Sequence, residues 1–237
     1  MKQSNIPTHV AIICDGNRSW ARERGLKVFI GHEKAVNEVF EDLIDHSIER
    51  GIQYLTFWIF STENWKRDKV EVDFLMNLFR KIFDERIDGW GEKGVRFKMI
   101  GNIKGFAKDI QTRIVEGEEK TKENKKITVT LAMNYGGRDE LTRTMQKLAT
   151  QVASGSLKPE DITEKTIAEN LDTHYMPDPD VIIRTGMDNI RLSGFMSWQQ
   201  QYSEIIFPRF NFPEFTKEKL DEVLAEFATR KRRFGGG

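Results

Sequence analysis

Apolar residues recur along this chain in short runs rich in β-branched and aromatic side chains, at Val10 to Cys14, Tyr54 to Phe60, Val95 to Ile100, Ile127 to Met133, Val181 to Ile183 and Glu204 to Phe207. Runs of this length and make-up predict strands, and the unbroken apolarity of the first predicts burial on both faces. Between them lie segments of helical character, at about Glu33 to Arg50, Val70 to Trp90, Phe106 to Asn124, Arg138 to Ala153 and Glu164 to Leu171. The second carries apolar residues at positions 72, 75, 76, 79, 82, 83, 87 and 90, close to the helical period, and so presents one core-facing stripe. This alternation predicts a single α/β domain over 1–237, with a mainly parallel sheet flanked by helices. In such sheets ligands sit beyond the carboxyl ends of the strands.

Polar clusters follow four of the runs: Asp15-Gly16-Asn17, Ser61 to Arg67, Asn134 to Arg138, and Arg184-Thr185-Gly186 continuing to Arg191-Leu192-Ser193. A lone Asp-Gly is more often a turn than a site. In a parallel sheet, however, four such clusters converge on one rim, and their chemistry is that of anion handling with a metal. Arg184 and Arg191 offer planar donors suited to phosphate oxygens, with Ser193 beside them, while Gly31 and His32 open a helix whose amides suit a second anion. Asp15 would repel a diphosphate unless a cation lay between them. Hard oxygen ligands beside phosphate point to Mg2+, with Asp15 as its ligand.

Composition narrows the field. Lys+Arg and Asp+Glu are equal at 37 each, so no global basic field recruits nucleic acid, and the 16 Phe and 5 Trp fall in core patterns. The single cysteine, Cys14, fits a reducing compartment, the cytoplasm. No apolar run reaches the roughly 18 residues of a membrane span, and the first ten residues lack a signal-peptide core. His46 and His174 are expected on the solvated surface and His9 without a partner; no histidine pair has zinc spacing. Walker, G-x-G-x-x-G and G-x-S-x-G patterns are absent. The tail from Thr229 reads as a basic helix end followed by glycines.

The blocks HVAIICDGN, GHEKA, LTFWIFSTENWKR, LAMNYGGRDEL, PDPDVIIRTG, RLSGFMSWQQQYSEIIF and FPEF resemble, in order, the signatures of the cis-prenyltransferases, the family of undecaprenyl diphosphate synthase, over about residues 9–227. The resemblance implies a homodimer with a six-stranded parallel sheet and an apolar tunnel. It also implies Mg2+-dependent cis-addition of isopentenyl diphosphate to an allylic diphosphate such as farnesyl or geranyl diphosphate, with a peripheral membrane contact at product release. Asp15 would bind the metal and assist departure of the allylic diphosphate, Gly16, Asn17 and His32 would lie against that group, and Trp20 would belong to the same substrate-binding block. Ser61, Asn64, Trp65 and Arg67 match a segment that positions substrates, Asn64 near the proton lost. Arg184, Arg191 and Ser193 match the isopentenyl diphosphate site, and Glu204 a second metal ligand.

Three departures stand out. An arginine usual before Trp20 is Ser19, with Arg18 one position earlier; a second, expected three residues after Gly25, is Val28; and the Arg184 to Arg191 segment is one residue longer than usual. Arg18 is therefore the candidate to replace the lost donors. Ile59 stands where the family often has a small residue, beside Trp58, which predicts a shortened product. Two other readings compete: a Mg2+-dependent phosphohydrolase with Asp15 as nucleophile, and a non-catalytic partner subunit of a prenyltransferase.

Overall fold

A computed structural model describes residues 6–187 and 189–231. The first five residues, Asp188 of the longer segment and the glycine-rich end beyond Lys231 lie outside the described residues. Six strands, β1 (His9–Ile13), β2 (Tyr54–Ser61), β3 (Val95–Ile100), β4 (Ile127–Tyr135), β5 (Val181–Arg184) and β6 (Glu204–Ile206), form one sheet in the order β3-β4-β2-β1-β5-β6. Every neighbouring pair is parallel.

Between the strands run α1 (Asn17–Glu23), α2 (Phe29–Lys34), α3 (Phe40–Arg50), α4 (Lys69–Glu85), α5 (Ile87–Glu92), α6 (Lys108–Thr121), α7 (Gly137–Ala153), α8 (Glu164–Ala168) and, after β6, α9 (Lys217–Thr229). The helix expected from Glu33 begins at Phe29 and runs to Arg50 through one π-type turn, Ala35–Val39. That expected from Val70 to Trp90 breaks at Arg86 into α4 and α5. The sheet face carrying Val10 and Ile12 packs against the π-type turn, α3 to α6 and α9 in the main core. The opposite face, carrying Ala11 and Ile13, packs on Phe195 and Met196. Tyr135 Oη donates to Glu140 at 2.7 Å, and Gln199 Nε2 donates to the same carboxylate at 3.0 Å, tying α7 to this layer.

Two histidines correct the sequence reading. His9 is fully buried as the first residue of β1, with Nδ1 2.7 Å from Pro177 O and Nε2 2.9 Å from Thr56 Oγ1. His46 is buried between α3 and α9, 2.8 Å from Asp221. Both occupy packed positions because each ring nitrogen finds a partner, which removes the cost of burying it. His174 is exposed, as expected.

Candidate active site

Parallel pairing sends the carboxyl ends of β4, β2, β1 and β5, neighbours in that order, to one rim, and the four polar clusters follow these same four strands. Beneath the rim lies a cavity of about 460 Å3. Its mouth is polar, with Asp15, Asn17, Arg18, His32, Asn64, Arg67 and Arg184; its depth is apolar. The turn from β1 into α1 is held by Gly16, whose φ of 96° suits glycine and whose added Cβ would lie 2.2 Å from Asn211 Oδ1. Gly31 similarly lets α2 approach the start of α1, since a Cβ there would lie 2.1 Å from Asn17 O.

Asp15 is the only carboxylate among the described residues lining the cavity. Its Oδ1 accepts from Gly16 N at 2.8 Å; its Oδ2 accepts from Arg184 Nη2 at 2.8 Å and from Asn189 Nδ2 at 3.0 Å. Arg184 is buried at 6% exposure, whereas the Asp15 side chain keeps 34%. Arg184 Nη1 also donates to Ser193 Oγ at 2.8 Å and to the backbone oxygen of Arg191, while its buried Nε has no partner. A charged guanidinium is thus held at the mouth beside a partly open carboxylate. That donor set suits Mg2+ shared with phosphate oxygens, because one hard carboxylate oxygen leaves the remaining positions to phosphate and water. Cys14, next in the lining, is a thiol: burial and the Asp15 charge push its pKa well up.

The opposite side of the mouth is built by β2 and the turn that follows. Asn64 Oδ1 accepts from Ser61 N at 3.1 Å, a capping arrangement that fixes both side chains at the strand end. Arg67 donates to Glu71 on α4 at 2.7 Å, and Arg18 lies 3.7 Å from the other oxygen of that carboxylate, which is 7% exposed. His32 faces both arginines. Burial, then Arg67 and Arg18, lower its pKa to about 4, so the ring is neutral, and its buried Nε2 has no partner.

The apolar depth is walled by Ala35 and Val36 of the π-type turn, by Phe40, by Leu75, Leu78, Phe79 and Ile82 of α4, and by Ile59. Ile59 is the extra residue of a bulge in β2: Trp58 pairs with Ala132 and Phe60 with Met133, so two steps on β2 oppose one on β4. Alternation from Phe57 already puts Ile59 on this face, and the bulge adds Phe60 to it. Trp58, in contrast, packs on the other sheet face, stacked on Phe195 at 5.0 Å with Nε1 donating to Tyr135 O.

Several expected residues do not reach the cavity. Trp20 is buried beneath the Arg24 guanidinium, 4.7 Å from its ring centre, and packs α1 instead of lining the mouth. Trp65 donates to Asn134 Oδ1 at 2.7 Å and packs on Phe60 and Phe106; it supports the turn from behind. The Arg191 side chain is exposed and outside the lining; its backbone oxygen is what meets Arg184. Glu204 stands apart from the cavity within this chain. It begins β6, level with Val181 at the amino end of β5, so it sits on the rim opposite Asp15, where it pairs with Arg230 at 2.9 Å. The third cluster holds structure: Gly137 N donates to Gly194 O at 2.8 Å, and neither Asn134 nor Tyr135 enters the lining. Conversely, Arg22 lines the mouth, Asn189 touches Asp15 and Glu71 joins two cavity arginines, none of them expected. The Arg67 to Glu71 spacing of four was a signal for the last.

Comparison with known proteins gives a consistent picture. The family model for undecaprenyl diphosphate synthase matches residues 13–235. An isoprenyl transferase of Rhizobium meliloti is 44% identical over 233 residues, covering 98% of this chain and 94% of its own. One from Helicobacter hepaticus is 44% identical over 239 residues, covering 100% and 99%. Lavandulyl diphosphate synthase from Lavandula x intermedia, solved with dimethylallyl diphosphate, superposes with a TM-score of 0.94 at 34% identity over 99% of this chain and 100% of its own. A probable undecaprenyl diphosphate synthase from Campylobacter jejuni gives a TM-score of 0.80 at 33% identity, with 100% of each chain covered.

Proposed function

The chain belongs to the undecaprenyl diphosphate synthase family, a prenyltransferase that elongates prenyl chains, and from that premise we propose that it condenses isopentenyl diphosphate with an allylic diphosphate in cis, with Mg2+. The observation that carries this reading is the cavity itself, polar at the rim and apolar beneath. An allylic diphosphate has the same division, and the neighbour solved with dimethylallyl diphosphate supports that choice of ligand. Asp15 would hold the metal, which when bound supplies countercharge to the departing diphosphate. Arg184 and Ser193 bind the second diphosphate from the other side of Asp15. Asn64, fixed by Ser61 through its amide oxygen, would orient the isopentenyl group through its amide nitrogen. The neutral His32 offers a hydrogen bond to the allylic diphosphate without competing as a counterion. The walls of Phe40, Leu75 and Phe79 keep water from the developing carbocation. Glu204 has no part in this arrangement within one chain.

The cavity also bears on product length. A cavity of roughly 150 Å3 takes up benzene. In proportion, about 460 Å3 takes roughly eighteen carbons, and the diphosphate claims part of that space. This supports a product shorter than undecaprenyl diphosphate. The resemblance supports a cytoplasmic homodimer, and no helix among the described residues is long and apolar enough to cross a membrane. The decisive experiment is incubation with isopentenyl diphosphate and a panel of allylic diphosphates, reading chain length and double-bond geometry. Short Z-products that vanish in excess chelator are expected. Turnover unaffected by chelator would remove the metal, and E-products would remove the cis assignment.

A further inference from the structure

Helix α1 carries Arg18 and Arg22, Arg24 follows at its C-cap, and the surroundings of the three differ. Arg24 is committed: it donates to Glu214 at 2.8 Å, lies 3.6 Å from Glu23 and covers the Trp20 ring. Arg18 is half committed, since its Nη1 lies 3.7 Å from Glu71, a carboxylate already held by Arg67, while its buried Nε has no partner. Arg22 lines the cavity mouth and makes no ion pair or hydrogen bond among the described residues. Arg18 and Arg22 are four residues apart on one helix, so two like charges share one face. That arrangement is unfavourable by itself and becomes favourable once an anion lies between them. Facing them is the buried, unpartnered Nε2 of His32.

Ser19 and Val28 cannot supply charge. Ser19 lines the mouth with only a hydroxyl, and Val28 precedes α2 outside the lining. The cationic donors within the allylic half of the mouth are therefore Arg18, Arg22 and Arg67, two of them tied to Glu71. We propose that Arg22 is the specificity-determining donor that holds the allylic diphosphate in this chain, with Arg18 as a second donor shared with Glu71. This rests on the allylic reading of the mouth. Glu71 occupies, in the absence of ligand, part of the cationic field that the diphosphate would use. Neutralising that carboxylate strengthens the field.

Two measurements separate this proposal from the reading it rests on. The first is titration with inorganic diphosphate by calorimetry, which needs no turnover. Arg22→Ala should weaken binding roughly tenfold or more, Arg22→Lys less, and Arg24→Ala within about twofold of wild type, because only a donor in contact with the anion contributes a charge-assisted bond. Glu71→Gln should tighten it. The second is steady-state kinetics: Arg22→Ala should raise the allylic Michaelis constant by a similar factor and leave that for isopentenyl diphosphate unchanged. Equal diphosphate affinity for wild type and Arg22→Ala overturns the proposal, as does equal weakening by Arg24→Ala, which would mark a diffuse charge effect. If wild type binds diphosphate through Arg22 but elongates no allylic substrate, the anion site stands and the functional reading fails.

Discussion

At the scale of single residues, the mouth is dominated by the pairing of Asp15 with Arg184. Breaking it leaves a guanidinium at 6% exposure with only Ser193 and a backbone oxygen as partners, so Asp15→Ala costs stability as well as activity. Asp15→Asn keeps the shape and an acceptor for Arg184 while removing the charge a metal needs. It is expected to lose turnover by at least roughly a hundredfold with a smaller drop in melting temperature than Asp15→Ala, measured by kinetics beside calorimetry. Retained turnover in Asp15→Asn would show that the carboxylate charge is dispensable. The two arginines of the fourth cluster should also separate. Arg184→Ala is expected to raise the isopentenyl diphosphate Michaelis constant roughly tenfold or more, and Arg191→Ala far less, because the Arg191 side chain stands outside the lining. Equal effects would mean that the segment around Asn189 rearranges on binding and brings Arg191 inward.

At the scale of elements, the end of β2 and the facing side of α4 wall the depth of the cavity. Ile59 enters the wall on the face it shares with Phe57, the unpaired residue brings Phe60 to that face as well, and α4 closes the space opposite. Ile59→Ala removes volume without disturbing the ladder and is expected to lengthen the product by one or more isoprene units, read by mass spectrometry. An unchanged distribution would place the limiting wall on α4. All six strands are legible in the sequence because their runs are short, rich in β-branched and aromatic residues and bounded by polar turns, which together decide for strand over buried helix. The bulge is not, since it depends on Asn134 of β4, at φ 47°, restoring register one residue later. Helix α1 is illegible for a different reason. Its seven residues are too few to show a period, and it opens from a left-handed Gly16 without a capping side chain. With α1 unseen, nothing marks Arg22 as four residues from Arg18 on one face. Helix α9 is legible by its basic end near Thr229, and Leu220, Val223, Leu224 and Phe227 are buried at helical spacing ahead of it. Glu204 starts a parallel strand, and a polar residue there lies on the rim opposite the site within one chain.

At the scale of the whole molecule, stability and the site share a dependence on neutral histidine. His9 joins β1 to β2 through Thr56 and to the segment leading into β5 through Pro177, and burial lowers its pKa to about 4. His32 is lowered to about 4 at the cavity mouth, by burial first and then by Arg67 and Arg18. In the unfolded chain both titrate near 6.5. Between about pH 6.5 and 4 the unfolded chain therefore binds protons that the folded chain does not, so stability rises with pH across that window. The contribution of each ring is fully present above about 6.5 and is lost as pH falls toward the folded value. Urea unfolding at pH 7 and pH 5 should show a loss of roughly 2 kcal/mol for each of the two rings. Burial also raises the carboxyl pKa values of Glu140 and Asp178, so the share of each ring is read from the histidine variants. His9→Asn lowers stability at pH 7, because the ring's packing and its bond to Thr56 are lost, yet it should reduce the difference between pH 7 and pH 5 by one ring's share. His32→Asn should do the same from the opposite end of the sheet, and the two reductions should add, since the sites share no partner. A difference between the two pH values that stays at the wild-type size in both variants would show that the folded protein protonates these rings as readily as the unfolded chain does. His32 would then enter the site as a cation near neutrality, and the allylic diphosphate would need less from Arg22.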